Sequence, residues 1–482
     1  MDSIRVKNLR CLVDTGDIPI KPLTILVGAN STGKSTFLRL FPLLRQSVET
    51  PTNSLILWYG RNGYVDFGTI KDALRDSAQA ISFGFKLTLP KNGTYEDYGV
   101  FLPFGYDSVL VGHHQLNIEI ELTPRNQTQS QISKLTLRLG ADQAILRFDE
   151  LAQVISFEVN TRSLLNKLKP LRIKKTTTHF LPIFEKYDDF FIEYGEKLLK
   201  YLAPDTPGQS LLETMLKTGI GHHKISKLKE GNEQLIRDIS FACHVPLLLS
   251  FADKKIYQFA SQVQYIGPFR AVVDRYYRIQ DISVEEIDFR GENLPMYLDS
   301  LSPEQQQELD EWSKNYFGIQ ISIKNQGTHL AVMVKPDNAS LKNLADVGFG
   351  YSQVLPIIIK LWSLQNQNGL QRLGYHPSLI AIEQPELHLH PKFQAQLAEV
   401  FANLVKTKQA QFRLLVETHG EAFITRIGQL IGLGKLPPED VQVILFDQDK
   451  ENGGIKVSTT AFDEEGCLIN WPYGFFIPDL PF

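Results

Sequence analysis

The sequence predicts an α/β fold in which a β-rich first part is followed by a helical insertion and then by a core of alternating strands and helices. Three observations predict it. Between residues 81 and 148 several segments alternate apolar and polar side chains with the period of two that a half-buried strand needs. From about residue 160 to 262 the apolar spacing becomes helical. In the second half, short all-apolar runs such as Leu379–Ile382 and Leu414–Val416 return between helical stretches, the pattern of a buried parallel sheet.

The elements follow in order. Ile4–Leu9 and Leu23–Val27 read as strands separated by the turn residues Asp14-Thr15-Gly16-Asp17. Ile81–Leu89, Leu116–Leu122, Ser133–Leu139 and Ala144–Phe148 form a β-rich lobe, with Gly, Pro and Asn between them. The helical stretch runs from Phe180 through Leu202, then Leu211–Leu216 and Leu235–Leu249. It carries the cations Arg162, Lys167, Lys169, Arg172, Lys174 and Lys175, and then the acids Glu185, Asp188, Asp189, Glu193 and Glu196. Both runs read first as solvated faces. The expected division is 1–159, 160–262 (the insertion), 263–440, and a small C-terminal domain over 441–482. No long heptad run and no internal repeat is visible.

Composition narrows the function classes. A chain of 482 residues, 43% hydrophobic and 22% charged, is ordinary for a folded protein of two or three domains. Its formal charge of −4 supplies no global field for nucleic acid, so DNA or RNA contact would need a local patch, for which Arg162–Lys175 is the candidate. The three cysteines Cys11, Cys243 and Cys467 are far apart and have no metal-ligand spacing, which points to a reducing, cytoplasmic setting. The N-terminus has no apolar signal region and no run reaches about 18 apolar residues, so neither secretion nor a membrane span is expected.

The chemistry-bearing motifs lie at strand ends. Gly28-Ala29-Asn30-Ser31-Thr32-Gly33-Lys34-Ser35 follows Leu23–Val27 and precedes the helix-compatible Thr36–Phe41. It matches G-x-x-x-x-G-K-[ST], in which backbone N–H groups cradle phosphates, the Lys reaches the outer ones and the Ser hydroxyl serves Mg²⁺. Leu379–Glu383 ends in a carboxylate and runs into Gln384-Pro385-Glu386-Leu387-His388-Leu389-His390-Pro391. Asp346-Val347-Gly348-Phe349-Gly350-Tyr351-Ser352-Gln353 opens an apolar helix, and Arg413–Val416 runs into Glu417-Thr418-His419-Gly420.

In this order the motifs resemble the ABC-type ATPase heads of the SMC, RecF and OLD-like group, over roughly residues 1–80 and 262–440. The resemblance implies ATP and Mg²⁺ as cofactors, with Asn30, Ser31, Thr32, Gly33, Lys34, Ser35 and Thr36 around the phosphates and Glu383 joining Ser35 at the metal. Gly348, Gly350, Ser352 and Gln353 would contact the nucleotide held by a second copy, which implies at least a homodimer, and His419 would be the switch histidine. Tyr265–Arg270 and Arg275–Arg278 resemble a segment frequent in stand-alone prokaryotic members, with structural packing as the main role of their arginines. Residues 441–446 and 466–476 resemble a small C-terminal domain of such ATPases, which occur in anti-phage defence and control a separate effector such as a nuclease or toxin. A RecF/SMC-like DNA-maintenance ATPase is the alternative, and a transporter ATPase is disfavoured by the E-x-P-E-L-H-L-H-P segment.

Two departures from the group's pattern stand out. Gln384 occupies the position of the usual water-activating Glu, and an amide is no general base. Either Glu386 takes that role or hydrolysis is slow. Asp66, in Val65–Thr69, is either a nucleotide contact or part of a turn. A nuclease site from Glu417 and Asp447-Gln448-Asp449 is weaker than a hairpin reading of that acidic stretch. His222-His223 has no partner cluster, and His388 and His390 fit loop contacts at a dimer interface.

Overall fold

The computed structural model describes residues 1–52, 54–60, 63–89, 115–163, 173–174, 180–181, 183–184, 233–280, 284, 286–337, 339–365, 378–406, 413–449 and 454–470. They form two compact units. One comprises Met1–Pro19 and Leu43–Ser261, the other Ile20–Pro42 and Gln262–Phe482. The phosphate-loop strand therefore belongs with the second half of the chain.

The first unit is built on an antiparallel sheet. Its order is Arg162–Ser163, Val154–Val159, Asp142–Phe148, Ser130–Leu139, Gln115–Pro124, Ile81–Thr88, Ser3–Leu9 and Leu12–Asp14, with Ile18–Pro19 also paired to Ser3–Leu9. The alternation in the sequence sets its two faces: Leu116, Ile118, Ile120 and Leu122 are buried, and Asn117, Glu119 and Glu121 between them are partly exposed. The outward carboxylates pair across strands, Glu119 with Lys7 and Glu121 with Lys134. Helix Glu233–Ser261 packs on strands Asp142–Phe148 and Val154–Val159. There the buried Asp238 accepts hydrogen bonds from Asn160, Gln234 and Arg162. Within the expected insertion, Ile173–Lys174 pairs with Ile183–Phe184 as strands where apolar spacing suggests helix around residue 183; short apolar runs do not separate the two. The acidic stretch, His222-His223 and most of the basic stretch lie outside the described residues.

In the second unit the strand order is Gly454–Thr460, Val441–Asp449, Leu23–Gly28, Arg413–Glu417, Leu379–Glu383, Val263–Ile266. Every neighbouring pair is parallel except the hairpin of Val441–Asp449 with Gly454–Thr460. Leu23–Gly28 and Leu379–Glu383 are buried at every residue, because helices cover both faces of a parallel sheet. Helix Phe349–Gln365 is buried almost all round, whereas Pro391–Lys406 and Glu421–Gly432 bury one face each and meet through Phe401 and Phe423, ring centroids 5.5 Å apart. These elements share one continuous apolar core with helix Pro303–Phe317 and the small antiparallel sheet of Ile319–Gln326 and His329–Pro336. Each large aliphatic or aromatic side chain in it contributes roughly 1.5–3 kcal/mol. Among the described residues no helix is long and apolar enough to cross a membrane.

Candidate functional site

Ligands of parallel sheets gather at the carboxyl ends of the strands, and here those ends align. Glu383 is the Cα partner of Glu417, and Glu417 of Leu26, two residues before Gly28. At Gly28 the chain turns with φ 154°, where a Cβ would lie 2.3 Å from the Phe446 carbonyl oxygen and 2.8 Å from the Thr32 hydroxyl. Only glycine fits. Ser31 and Gly33 are left-handed too, with φ of 64° and 91°. The loop closes on the Ala29 carbonyl, which accepts from the Thr32 hydroxyl at 2.8 Å and from the Lys34 ammonium at 2.7 Å. Asn30 and Ser31 are exposed and Thr36 is buried. Such a turn presents successive N–H groups to an anion. Burial lowers the Lys34 pKa, opposed by the charges of Glu417 and Glu386.

The two strand-end carboxylates have different partners. The Ser35 hydroxyl donates to Glu417 Oε1 at 2.8 Å, and Glu417 Oε2 is buried without a hydrogen-bond partner. Burial, then the charge of Glu383, pushes the Glu417 carboxyl up to about 7, against the pull of Ser35, Lys34 and Arg39. Glu383 accepts from Arg39 Nε at 2.7 Å and Nη2 at 2.8 Å, and from the Tyr265 hydroxyl at 2.8 Å. Burial works against the Arg39 charge, but the Glu383 carboxylate outweighs it and raises the pKa. Sequence reading pairs Ser35 with Glu383; in the structure Ser35 faces Glu417. Topology is the reason: the Arg413–Glu417 strand lies between the phosphate-loop strand and Leu379–Glu383, while Arg39, one helical turn beyond Ser35, reaches the farther strand.

Beyond Glu383 the backbone is bent. Gln384 has φ 44° and its N–H donates to the Glu417 carbonyl at 2.9 Å. Glu386 Oε1 accepts the His419 N–H at 2.6 Å, Oε2 is buried without a partner, and burial raises the carboxyl's pKa. Partial burial and the Lys34 charge lower that of the His419 ring. Arg270 is buried, donates to the Glu383 carbonyl at 3.0 Å, keeps Nε and Nη1 unpartnered, and is pushed down to about 10 by burial. Asn30, Gln384, Glu386, His388 and His419 line one cavity of about 1070 Å³.

The Asp346–Gln353 segment, here called the signature loop, packs on the segment after Glu383. A Cβ on Gly350 would lie 2.8 Å from the His388 carbonyl oxygen, and the exposed Phe349 ring stands edge-on to His388 at 5.0 Å. The Ser352 hydroxyl donates to the Phe349 carbonyl at 2.6 Å; Gln353 is buried with Nε2 unpartnered, and Gly348 faces open space. Among the described residues no hydrogen bond joins 348–353 to 28–36. Asp66, in the first unit, accepts the Gly68 N–H at 2.7 Å in a turn that leads into a Thr69–Asp72 capping box. His390 Nδ1 accepts the Lys392 N–H at 3.3 Å. Asp447 and Asp449 lie in a strand, and among the described residues no group of three or more His, Cys, Asp or Glu is arranged around a metal position. Sequence reading missed Arg39, although its i+4 spacing from Ser35 was a usable signal.

A family model described as AAA ATPase domain matches residues 1–182 and 274–424. No curated protein matches the sequence. Among solved structures, the chain is similar to an Smc head bound to the C-winged helix domain of ScpA, at 12% identity over 96% of this chain and 98% of that one, TM-score 0.38. It is also similar to the SMC head domain from Thermotoga maritima, at 8% identity over 95% and 97%, TM-score 0.36.

Proposed function

The chain belongs to the AAA ATPase domain family, and from that premise we propose that it binds and hydrolyses ATP with Mg²⁺ between two copies of itself. The observation that carries the reading is the phosphate loop, closed on Ala29, with Glu417, Glu386 and His419 each in electrostatic reach of Lys34. When bound, Mg²⁺ would neutralise phosphate charge. The residues fit it: the Ser35 hydroxyl is at hand, and Glu417 Oε2 is a buried oxygen without a partner. Glu386 is the proposed general base, since burial raises its affinity for a proton while the His419 N–H holds it in place. Gln384 orients water, and Gly348, Gly350, Ser352 and Gln353 act on the partner's nucleotide.

The wider role is a sensor or regulatory subunit of a prokaryotic anti-phage or toxin-like module that controls a separate effector. Support comes from the resemblance of the residue 265–278 segment and the C-terminal region to stand-alone members. Lys34→Ala is expected to abolish ATP binding in calorimetry while the far-UV spectrum is unchanged. Wild-type affinity in that folded variant would remove the nucleotide reading. Glu386→Gln is expected to slow steady-state turnover by about 10²-fold or more and to trap ATP. Salt-sensitive retention of DNA by the wild type would favour the DNA-maintenance alternative.

A further inference from the structure

Two carboxylates stand at the ends of adjacent parallel strands beside the phosphate loop, and their surroundings differ in kind. Glu383 is anchored: Arg39 takes both of its oxygens, and Tyr265 donates to Oε1 as well. Releasing it toward an ion would leave a partly buried guanidinium without its carboxylate. Glu417 has one oxygen against the Ser35 hydroxyl and the other buried without a partner. A hard divalent cation takes oxygen ligands, keeps several waters, and needs only one or two carboxylates beside phosphate oxygens. A hydroxyl and a free carboxylate oxygen side by side suit that requirement.

We propose that Glu417, rather than Glu383, is the carboxylate that holds the divalent ion with Ser35, and that Glu383 is a positioning residue fixing the helix after the phosphate loop through Arg39. The strand order supports this division, because the Arg413–Glu417 strand is hydrogen-bonded directly to Leu23–Gly28 and the Glu383 strand lies one position farther out. Arg39 is the C-cap of the helix Lys34–Leu38 that carries Ser35, so the Glu383 pair ties that helix to the sheet. The inference rests on the nucleotide reading proposed above.

The test measures metal binding without turnover. Mn²⁺ is titrated into the full chain with ATP, and free Mn²⁺ is read from its electron paramagnetic resonance signal; nucleotide affinity is measured in parallel in EDTA. Glu417→Gln should be at least as stable as wild type and bind ATP no more weakly in EDTA, yet bind Mn²⁺ about 10- to 100-fold more weakly than wild type. Glu383→Gln should melt at a lower temperature and, at a temperature where it remains folded, keep Mn²⁺ affinity within about threefold of wild type. Undiminished Mn²⁺ affinity in Glu417→Gln, or a loss in Glu383→Gln equal to or greater than in Glu417→Gln, overturns the inference while leaving ATP binding in place. If the wild type itself binds no ATP, the proposed function fails, and this inference with it.

Discussion

The methyl group that Gly28 lacks would lie 2.3 Å from a carbonyl oxygen of the neighbouring strand, at a φ of 154° that side-chain-bearing residues rarely adopt. Gly28→Ala is therefore expected to lose about 1–3 kcal/mol of stability in urea unfolding and to weaken ATP binding at the same time, since the loop is displaced with the strand. Unaltered stability would mean that the loop has room the geometry denies. Glu417 gives a residue-scale expectation of a different kind. Its carboxyl is pushed up to about 7, against about 4.3 in an unfolded chain. The fold thus gains from the protonated form at low pH and loses that advantage as pH rises through 7. In nucleotide-free protein with EDTA, Glu417→Gln should match wild type near pH 4 and exceed its stability at pH 8 by on the order of 3 kcal/mol. A difference that does not change with pH would show that this carboxyl ionises normally.

At the scale of elements, the helix after the phosphate loop is fastened to the sheet by the Arg39–Glu383 pair. Removing one member of a buried pair strands the other, so Arg39→Ala should cost about 3 kcal/mol in urea unfolding. Arg39→Leu combined with Glu383→Gln should recover part of that, and full additivity of the two changes would argue against a direct pairing. These elements also show how far the sequence is legible. Period-two alternation in Gln115–Pro124 and all-apolar runs such as Leu379–Ile382 are properties of one strand and its faces, so they can be read along the chain. Strand order is not such a property. Nothing near Glu417 in the sequence says that its strand lies between those of Gly28 and Glu383, and that placement decides which carboxylate Ser35 meets. The motif reading named Ser35, Glu383 and Glu417 but set Ser35 with Glu383, where the structure has Ser35 donate to Glu417 and Arg39 to Glu383.

For the molecule as a whole, association through the signature loop is best probed at Gly348, where an added side chain meets nothing within 4 Å. Ser352 and Gln353 are buried, so large substitutions there would disturb the fold itself. Gly348→Arg is expected to leave the melting temperature and ATP affinity of the single copy intact and to abolish ATP-dependent association in light scattering. A dimer that forms as before would exclude this loop from the interface. The division of the chain into units has a further consequence, in biosynthesis. Leu23 pairs with Leu414 on one side and Val441 on the other, so the strand that carries the phosphate loop leaves the ribosome long before either neighbour and must wait for both. At about 5–20 residues per second that wait is roughly 20 to 80 seconds. Closing so long a loop makes this pairing a late event. A nascent chain carries the whole nucleotide motif long before it can use it, and a product that stops short of Val441 displays the motif without the edge on which the loop is seated.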